Sequence, residues 1–182
     1  MYIWYFSEDY PHKLVGEYDR KNSPDRFLFR QSKFLNLEKT PQVIFEVKKD
    51  RILKFHNIEH NGGSFKIVSP ELAAVLEKYA KDDIQLIDVI LKTKNGDITN
   101  YKILHMIKEI EAIDKEKTQI EYSPNEVMLR LNNLKLLHNK MKDTNIALLS
   151  EIKGFILISE LLKEKIEYFK GVSILSEDEM EY

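Results

Sequence analysis

Two stretches of the chain share one order of hydrophobic and polar positions. Residues 65–89 hold a short apolar run, Ser69, apolar residues at helical spacing and a second apolar run, and residues 154–175 repeat this order around Ser159. The helically spaced residues are Leu72, Val75, Leu76 and Tyr79 in the first stretch and Leu162, Ile166 and Phe169 in the second. Because a serine hydroxyl accepts a hydrogen bond from the free amides of a helix's first turn, each serine marks a helix start. The pattern predicts two related strand-helix-strand units, the second helix ending at Gly171 as its C′ residue.

The first unit runs on into residues that alternate in polarity on both sides of Asn95-Gly96. This dipeptide supplies the positive-φ residues that a type I′ turn needs between two twisted strands. In the second arm successive residues point to opposite faces, with Ile103 and His105 opposite Leu104. We therefore expect one long β-hairpin over residues 84–107.

Shorter apolar runs predict further strands. Residues 1–6 are aromatic and β-branched, and residues 43–47 and 51–55 are two runs separated by a polar turn. Residues 134–137 and 146–149 are two more.

Three other segments give weaker signals. Residues 10–41 are rich in proline and turn residues, and residues 109–122 are highly charged, so we expect loops and surface turns there. Ser123-Pro124-Asn125-Glu126 has the form of a capping box, whereas the residues after it alternate as in a strand. We interpret this segment as a short helical turn or bend.

These elements define an α+β fold with a mixed or mostly antiparallel sheet, two related strand-helix-strand units and a long β-hairpin. At 182 residues the chain has the length of one domain, over residues 1–182. Residues 1–50 either join the main sheet or form a small N-terminal lobe, and residues 176–182 are an acidic tail that we expect to be frayed.

Composition removes several classes of function. The chain is 43% hydrophobic and carries a net charge of −2, so it can bury a core and has no overall field that attracts nucleic acid. It has no cysteine, which excludes disulfides and thiolate chemistry and fits a cytoplasmic location. No segment resembles a secretory signal or a bilayer-spanning helix, so we expect a soluble protein without membrane contact.

One motif suggests metal chemistry. His56-Asn57-Ile58-Glu59-His60 matches the H-x-x-E-H pattern, in which two histidines one helical turn apart bind zinc and the glutamate activates water. The glycines that follow at once place the segment in a loop or at a strand end, where these side chains do not converge. Surface loop histidines are the better interpretation, and no metal or cofactor is predicted.

The remaining motifs have structural explanations. The glycines of Asn61-Gly62-Gly63 lack the lysine and spacing of a phosphate-binding loop and indicate a turn between strands. The acidic clusters, such as Asp82-Asp83, are typical of solvated faces, and no serine lies in a G-x-S-x-G elbow. Aromatic residues interleaved with lysines near the start keep nucleic-acid binding open as a weaker hypothesis.

The order of segments resembles the bacterial immunity proteins of polymorphic toxin systems, a family first catalogued as a domain of unknown function. The resemblance covers roughly residues 52–175 and follows apolar strands entering serine-capped helices, a Tyr-x-Ile-Leu hairpin, Asp-x-Glu-Lys and a closing Gly-Val. The matching positions are Val68, Ser69, Leu72, Tyr101, Ile103, Leu104, Asp114, Glu116, Lys117, Ser159, Glu160, Leu162, Lys163, Gly171 and Val172. Residues 1–50 match poorly.

The resemblance implies an α+β protein without catalytic residues that neutralises a cognate secreted toxin domain by protein-protein contact. Toxins that attack nucleic acid tend to be basic, so acidic groups of the tail are candidate contacts. These are Glu177, Asp178, Glu179 and Glu181. A metal-dependent hydrolase built on His56, Glu59 and His60 and a nucleic-acid-binding module are the alternatives.

Overall fold

A computed structural model describes residues 1–122, 128–152 and 154–180. The helices are α1 (Lys49–Ile52), α2 (Pro70–Ala80) and α3 (Glu160–Ile166). The strands are β1 (Tyr2–Tyr5), β2 (Glu17–Tyr18), β3 (Gln42–Ile44), β4 (Asn57–Ile58), β5 (Lys66–Val68), β6 (Ile84–Asp88), β7 (Ile90–Thr93), β8 (Gly96–Ile98), β9 (Lys102–Met106), β10 (Glu109–Ile110), β11 (Gln119–Tyr122), β12 (Met128–Asn132), β13 (Ile146–Leu149), β14 (Ile156–Ile158) and β15 (Ser173–Leu175). Short 3₁₀-helices span His12–Leu14, Arg26–Arg30, His138–Met141 and Glu177–Glu179.

The strands form mixed and antiparallel sheets, which confirms the predicted α+β class. The sheet orders are β4-β5-β9-β6, β10-β13-β14-β1-β15, β2-β3-β7-β8 and β11-β12. The β3-β7 and β10-β13 pairs are parallel, and the other pairs are antiparallel.

Two strand-helix-strand units are present, as the repeated pattern predicts. In the first, β5 and β6 flank β9 and are joined by α2, and in the second, β14 and β15 flank β1 and are joined by α3. The hydroxyls of Ser69 and Ser159 accept hydrogen bonds from the backbone amides of Leu72 and Leu162, at 3.3 and 3.1 Å, so both serines cap their helices. Each unit is therefore a split β-α-β motif with an antiparallel strand inserted between its parallel strands.

The helices pack against each other in a central core that both units share. Leu72 and Leu76 of α2 and Leu162 and Ile166 of α3 are fully buried there. The opposite faces of the two sheets line separate cores, one containing Ile67 and Ile103 and the other Ile3 and Leu157. Successive side chains of a strand point to opposite faces of its sheet, so the residues of one strand alternate between two cores.

A polar residue next to each unit also forms hydrogen bonds with the end of the helix or the helix-strand loop of the other unit. Asn145, just before β13, donates through Nδ2 to Tyr79 O at 2.7 Å and through its backbone amide to Asp83 Oδ2 at 2.8 Å. In the reverse direction, His56 N donates to Lys170 O at 2.8 Å and Asn57 Nδ2 donates to Gly171 O at 2.8 Å. These two sets of hydrogen bonds involve equivalent elements and join the two units; we call them the clasp.

The predicted long hairpin is wrong in its pairing. Within residues 84–107 the outer arms β6 and β9 pair with each other, but the inner strands β7 and β8 pair in a different sheet, next to β3. The change of sheet occurs at Val89, which is buried. The predicted type I′ turn at Asn95-Gly96 is also wrong. Thr93 pairs with Gly96, so the turn residues are Lys94 and Asn95, and of the two predicted turn residues only Gly96 has a positive φ, at +124°.

The run at residues 51–55 is helical rather than a strand. Ile52 and Phe55 are buried while Arg51 and Leu53 are exposed, which is a spacing of three rather than alternation, and α1 ends at Ile52. Helix α3 ends at Ile166, so Gly171 lies in the loop before β15 and not at the C′ position, although its φ is +90°.

Other strand predictions differ in extent. The run at residues 43–47 contributes only to β3, residues 134–137 contribute one isolated bridge between Leu136 and Ile113, and residues 109–122 contain β10 and β11. The predicted strand at 146–149 is β13. The capping-box residues 123–126 lie outside the described residues. In the N-terminal fifty residues, β1 lies inside the five-stranded sheet between β14 and β15.

Candidate partner-binding site

The H-x-x-E-H residues lie in and around the short strand β4, not on a helix. His56 faces the loop after α3, where its Nδ1 accepts a hydrogen bond from Lys170 N at 3.2 Å and its ring packs on Phe169 at 4.9 Å. His60 lies beyond the other end of β4, stacked on Phe65 at 4.2 Å. The two imidazoles therefore do not form a pair.

Both ring nitrogens of His60 are already used. Nδ1 accepts from Gly62 N at 2.8 Å and Nε2 lies 3.0 Å from Phe65 O, which assigns the proton to Nε2. Desolvation lowers the pKa of His60 to about 3, so the ring is neutral at pH 7. Among the described residues no three His, Asp or Glu side chains converge as metal ligands. His60 acts as a support for the Gly62-Gly63 turn rather than as a surface loop residue or a zinc ligand.

Glu59 enters a buried polar cluster. Its Oε1 accepts from Asn57 Nδ2 at 3.0 Å and from Ser7 N at 3.3 Å, and it lies 3.9 Å from Lys66 Nζ. Glu59 and Lys66 are only 4% and 9% exposed. Burial lowers the pKa of the Lys66 ammonium, and the negative charge of Glu59 opposes this shift.

Lys66 reaches the second unit through its ammonium group. Lys66 shares a face of β5 with Val68, toward the central core, and its Nζ donates to Tyr5 O at the end of β1, at 3.2 Å. Sequence reasoning missed this residue. The available signal was the position of this lysine between Phe65 and Ile67. A short strand that is otherwise apolar is buried on both faces, so a lysine within it is expected to be buried too.

A cleft of about 300 Å³ lies next to Glu59 and Lys66, between the end of β1, the start of β14 and the β4-β5 connection. Its aromatic walls include Trp4, Phe6 and Phe65, and Glu59 and Lys66 also line it. Trp4 Nε1 is buried and has no hydrogen-bond partner within the described part of the chain. The cleft therefore combines aromatic surface with buried polar groups, the usual composition of a recognition pocket.

A larger cleft, of about 700 Å³, lies between the first 3₁₀-helix and the β3-α1 connection. Leu14 and Val47 contribute apolar surface, and basic side chains including Lys48 and Arg51 surround it. Lys94 at the cleft forms an exposed ion pair with Glu46 at 3.4 Å. Exposed pairs of this kind contribute little to stability.

An exposed aromatic residue lies on the 3₁₀-helix Arg26–Arg30. Phe27 is 48% exposed, with the guanidinium carbons of Arg26 and Arg30 at 5.1 and 4.8 Å from its ring centre. Aromatic and arginine side chains are enriched among residues that dominate protein-protein binding energy.

The acidic tail is ordered rather than frayed over its described part. Glu177 accepts from Leu136 N at 2.6 Å and pairs with Lys135 and His138, at 3.8 and 3.5 Å. Glu179 accepts from both the backbone amide and the hydroxyl of Ser176, each at 2.7 Å, and closes a capping box. These two carboxylates therefore have intramolecular roles.

Asp178 is exposed, with 75% of its side chain accessible, and it pairs with Lys135. Glu181 lies outside the described residues. Lys135 pairs with Asp178, and Lys163 acts electrostatically on Glu179. The two lysines therefore partly compensate the negative charge of the tail.

The fold and these surfaces define a class: an α+β protein of two clasped split β-α-β units, with clefts and exposed side chains suited to macromolecular recognition. The chain belongs to the immunity protein family Imm11, whose family model matches residues 8–174. This match confirms the family resemblance but corrects its extent. It begins at residue 8, so it covers most of residues 1–50, which were expected to match poorly, while β1 lies outside it. The curated proteins contain no match to the chain. No helix of the described residues is long and apolar enough to span a bilayer.

Proposed function

We propose that this protein binds a cognate secreted bacterial toxin domain and neutralises it by protein-protein contact, without chemical turnover. The family match over residues 8–174 carries the proposal, because it spans the fold rather than one motif. We place its action in the cytoplasm of the bacterium that makes the toxin, in a polymorphic toxin system used in competition between bacteria. The toxin gene is expected to lie beside the gene for this chain.

The architecture suits such a role. An inhibitor must hold its contact residues in place before the partner arrives, since ordering them on binding costs free energy. Asn57 and Asn145 join the two units on opposite sides of the central core, so surfaces contributed by both units keep a constant relation. No cofactor takes part in this function, and we expect neither nucleic acid nor membrane as a partner.

The acidic tail is part of the proposed contact surface. Glu177, Asp178, Glu179 and Glu181 offer negative charge to a basic toxin that acts on nucleic acid. Glu177 and Glu179 accept backbone hydrogen bonds, whereas Asp178 is 75% exposed and its bond is to the side chain of Lys135. Direct contact with the toxin therefore depends most on Asp178.

Co-expression tests the proposal. The variable C-terminal domain of the neighbouring secreted protein is expressed in a bacterial host, with and without this chain, and survival is counted. We expect the toxin domain to stop growth, this chain to restore it, and the two to co-purify as a complex. Growth arrest that persists at matched expression of the folded chain would overturn the proposal.

Two further measurements address the alternative classes. Purified protein should contain no stoichiometric zinc, because both His60 nitrogens have internal partners. It should also not shift oligonucleotides with a salt-dependent slope. Salt-dependent oligonucleotide binding at micromolar protein would favour a nucleic-acid-binding module instead.

A further inference from the structure

The buried ammonium of Lys66 has more donors than the fold satisfies. Nζ carries three N–H groups, and its one hydrogen bond in the described chain is to Tyr5 O at 3.2 Å. The oxygen of Glu59 lies 3.9 Å away, beyond hydrogen-bond distance. Two donors of a charged group that is only 9% exposed thus lack a protein acceptor within the described residues.

A second unsatisfied donor belongs to a residue that lines the same cleft. Trp4 Nε1 is buried without a partner, and Lys66 Nζ lies 6.0 Å from the centre of the Trp4 ring. Leaving a buried donor unsatisfied costs free energy, and the cost is larger for a charged one. Because both groups donate, the ligand that relieves this cost must carry acceptor oxygens.

The surroundings limit the form of that ligand. The cleft measures about 300 Å³, and aromatic walls including Phe6 and Phe65 enclose it. Phe6 is 37% exposed and lines the cleft together with Lys66, so an apolar stem can contact the Phe6 ring while its polar end reaches Lys66. An aspartate or glutamate side chain has this form, with a short apolar stem and two acceptor oxygens.

We propose that this cleft receives a side-chain carboxylate of the toxin partner and that Lys66 binds it. The inference rests on the proposed function and adds a specific contact to it. The site is separate from the tail, because the cleft lies at the Tyr5 end of β1 while Leu175, which leads into the tail, pairs with Ile3 nearer its start. The toxin is therefore engaged by an anion-accepting pocket as well as by acidic groups.

The first experiment needs no toxin. Trp4 is the one tryptophan of the chain, so its fluorescence reports on the cleft. The protein is titrated with acetate, and in parallel with neutral acetamide, at constant ionic strength. We expect a saturable change with acetate, with a dissociation constant of roughly 1–100 mM for so small a ligand, and none with acetamide. No saturable change, or equal changes with both probes, would overturn the proposal.

A double variant tests Lys66 itself. Lys66→Met with Glu59→Gln removes both charges together, so no unpaired buried charge remains. Its control is Lys94→Met with Glu46→Gln, which removes a surface pair of the same chemistry. We expect loss of the acetate response in the first variant alone. Retention of that response in the folded first variant contradicts the assignment to Lys66, and the wild-type titration stands as the test should that variant fail to fold.

The toxin assay then separates this inference from the proposed function. If the wild-type chain protects cells, we expect the folded Lys66/Glu59 variant to bind the toxin domain at least about tenfold more weakly, which is about 1.4 kcal/mol. The Lys94/Glu46 variant should bind as wild type. If the Lys66/Glu59 variant binds the toxin with full affinity, the cleft binds only small free carboxylates, and the proposed contact with the toxin is overturned. Failure of the wild type to protect would refute the proposed function, while the acetate titration still tests the pocket.

Discussion

Asn57 and Gly171 are in direct contact across the junction of the two units. Asn57 Nδ2 donates to Gly171 O at 2.8 Å, and a Cβ placed on Gly171 would lie 2.3 Å from Asn57 O. Gly171 has a φ of +90°, in the region that residues with a side chain rarely adopt. Glycine is therefore required here by both backbone conformation and close approach.

Gly171→Ala should lower the free energy of unfolding by more than about 2 kcal/mol, because alanine adds a steric clash to an unfavourable φ. Gly96→Ala is the matched control, since Gly96 has a φ of +124° with open space around it. That variant should lose only about 1–2 kcal/mol, the cost of the conformation alone. Urea denaturation of both proteins measures the difference, and equal losses would show that the contact with Asn57 is unimportant.

Asn145→Ala should destabilise the fold by roughly 2–4 kcal/mol. The change leaves Tyr79 O without its donor and Ser159 Oγ without the acceptor Asn145 Oδ1 at 2.7 Å. Asn100→Ala, at an exposed position, should change stability by less than about 0.5 kcal/mol. Thermal and urea unfolding provide the comparison, and an Asn145 variant as stable as the Asn100 variant would contradict the clasp.

Stability should depend on pH through His60. Its pKa in the folded protein is about 3, below the ordinary value of 6.5, so unfolding takes up a proton between these values. The stabilisation is complete above pH 6.5 and is lost as pH falls toward 3, at up to about 1.4 kcal/mol per pH unit. Urea unfolding at several pH values between these limits measures this slope.

His60→Gln should flatten that slope, because glutamine does not titrate, while keeping one donor and one acceptor. Some slope should remain, since burial also lowers the pKa of His105. His12→Gln, at an exposed position, is the control and should leave the slope as in wild type. A slope unaffected by His60→Gln would show that another group accounts for the dependence.

Asp178→Lys should weaken toxin binding if the acidic tail contacts a basic surface, and the effect should diminish as salt is added. We expect a loss of roughly tenfold in affinity near 0.1 M salt. Asp97→Lys makes the same charge change on the β7-β8 hairpin, which belongs to a different sheet from β15, the strand that precedes the tail. This variant should have little effect on toxin binding. Equal affinities for the two variants in a surface-binding assay would exclude Asp178 as a contact.

Local patterns in the sequence account for much of the fold. The serine caps of α2 and α3 and the spacing of Leu72, Leu76, Leu162 and Ile166 predict both helices, because capping and amphipathicity depend on neighbours within about two turns. The same reasoning finds the strand at residues 146–149 and a chain reversal close to Asn95, although the turn residues are Lys94 and Asn95. Burial then follows the predicted faces, with Ile103 and Leu104 in different cores.

Strand pairing could not be predicted in this way. Between Ile84 and Leu91 only Gln85 and Asp88 are polar, and isolated polar residues of this kind do not mark the change of sheet at Val89. Helix α1 was missed because four residues are too few to distinguish the hydrophobic period of a helix from that of a strand. The pattern H-x-x-E-H suggested zinc because a motif carries no information on backbone conformation, and β4 holds its histidines apart.

The sequence by itself determined the fold class, the two related units and the family resemblance, since hydrophobic period, caps and turns are properties of neighbouring residues. The tertiary structure alone decided which strands pair, how each unit clasps the other, and that Lys66, 61 residues from Tyr5, donates to its carbonyl beside Glu59. Those features depend on contacts between residues distant in the chain. Burial then changes the chemistry of the groups that meet there.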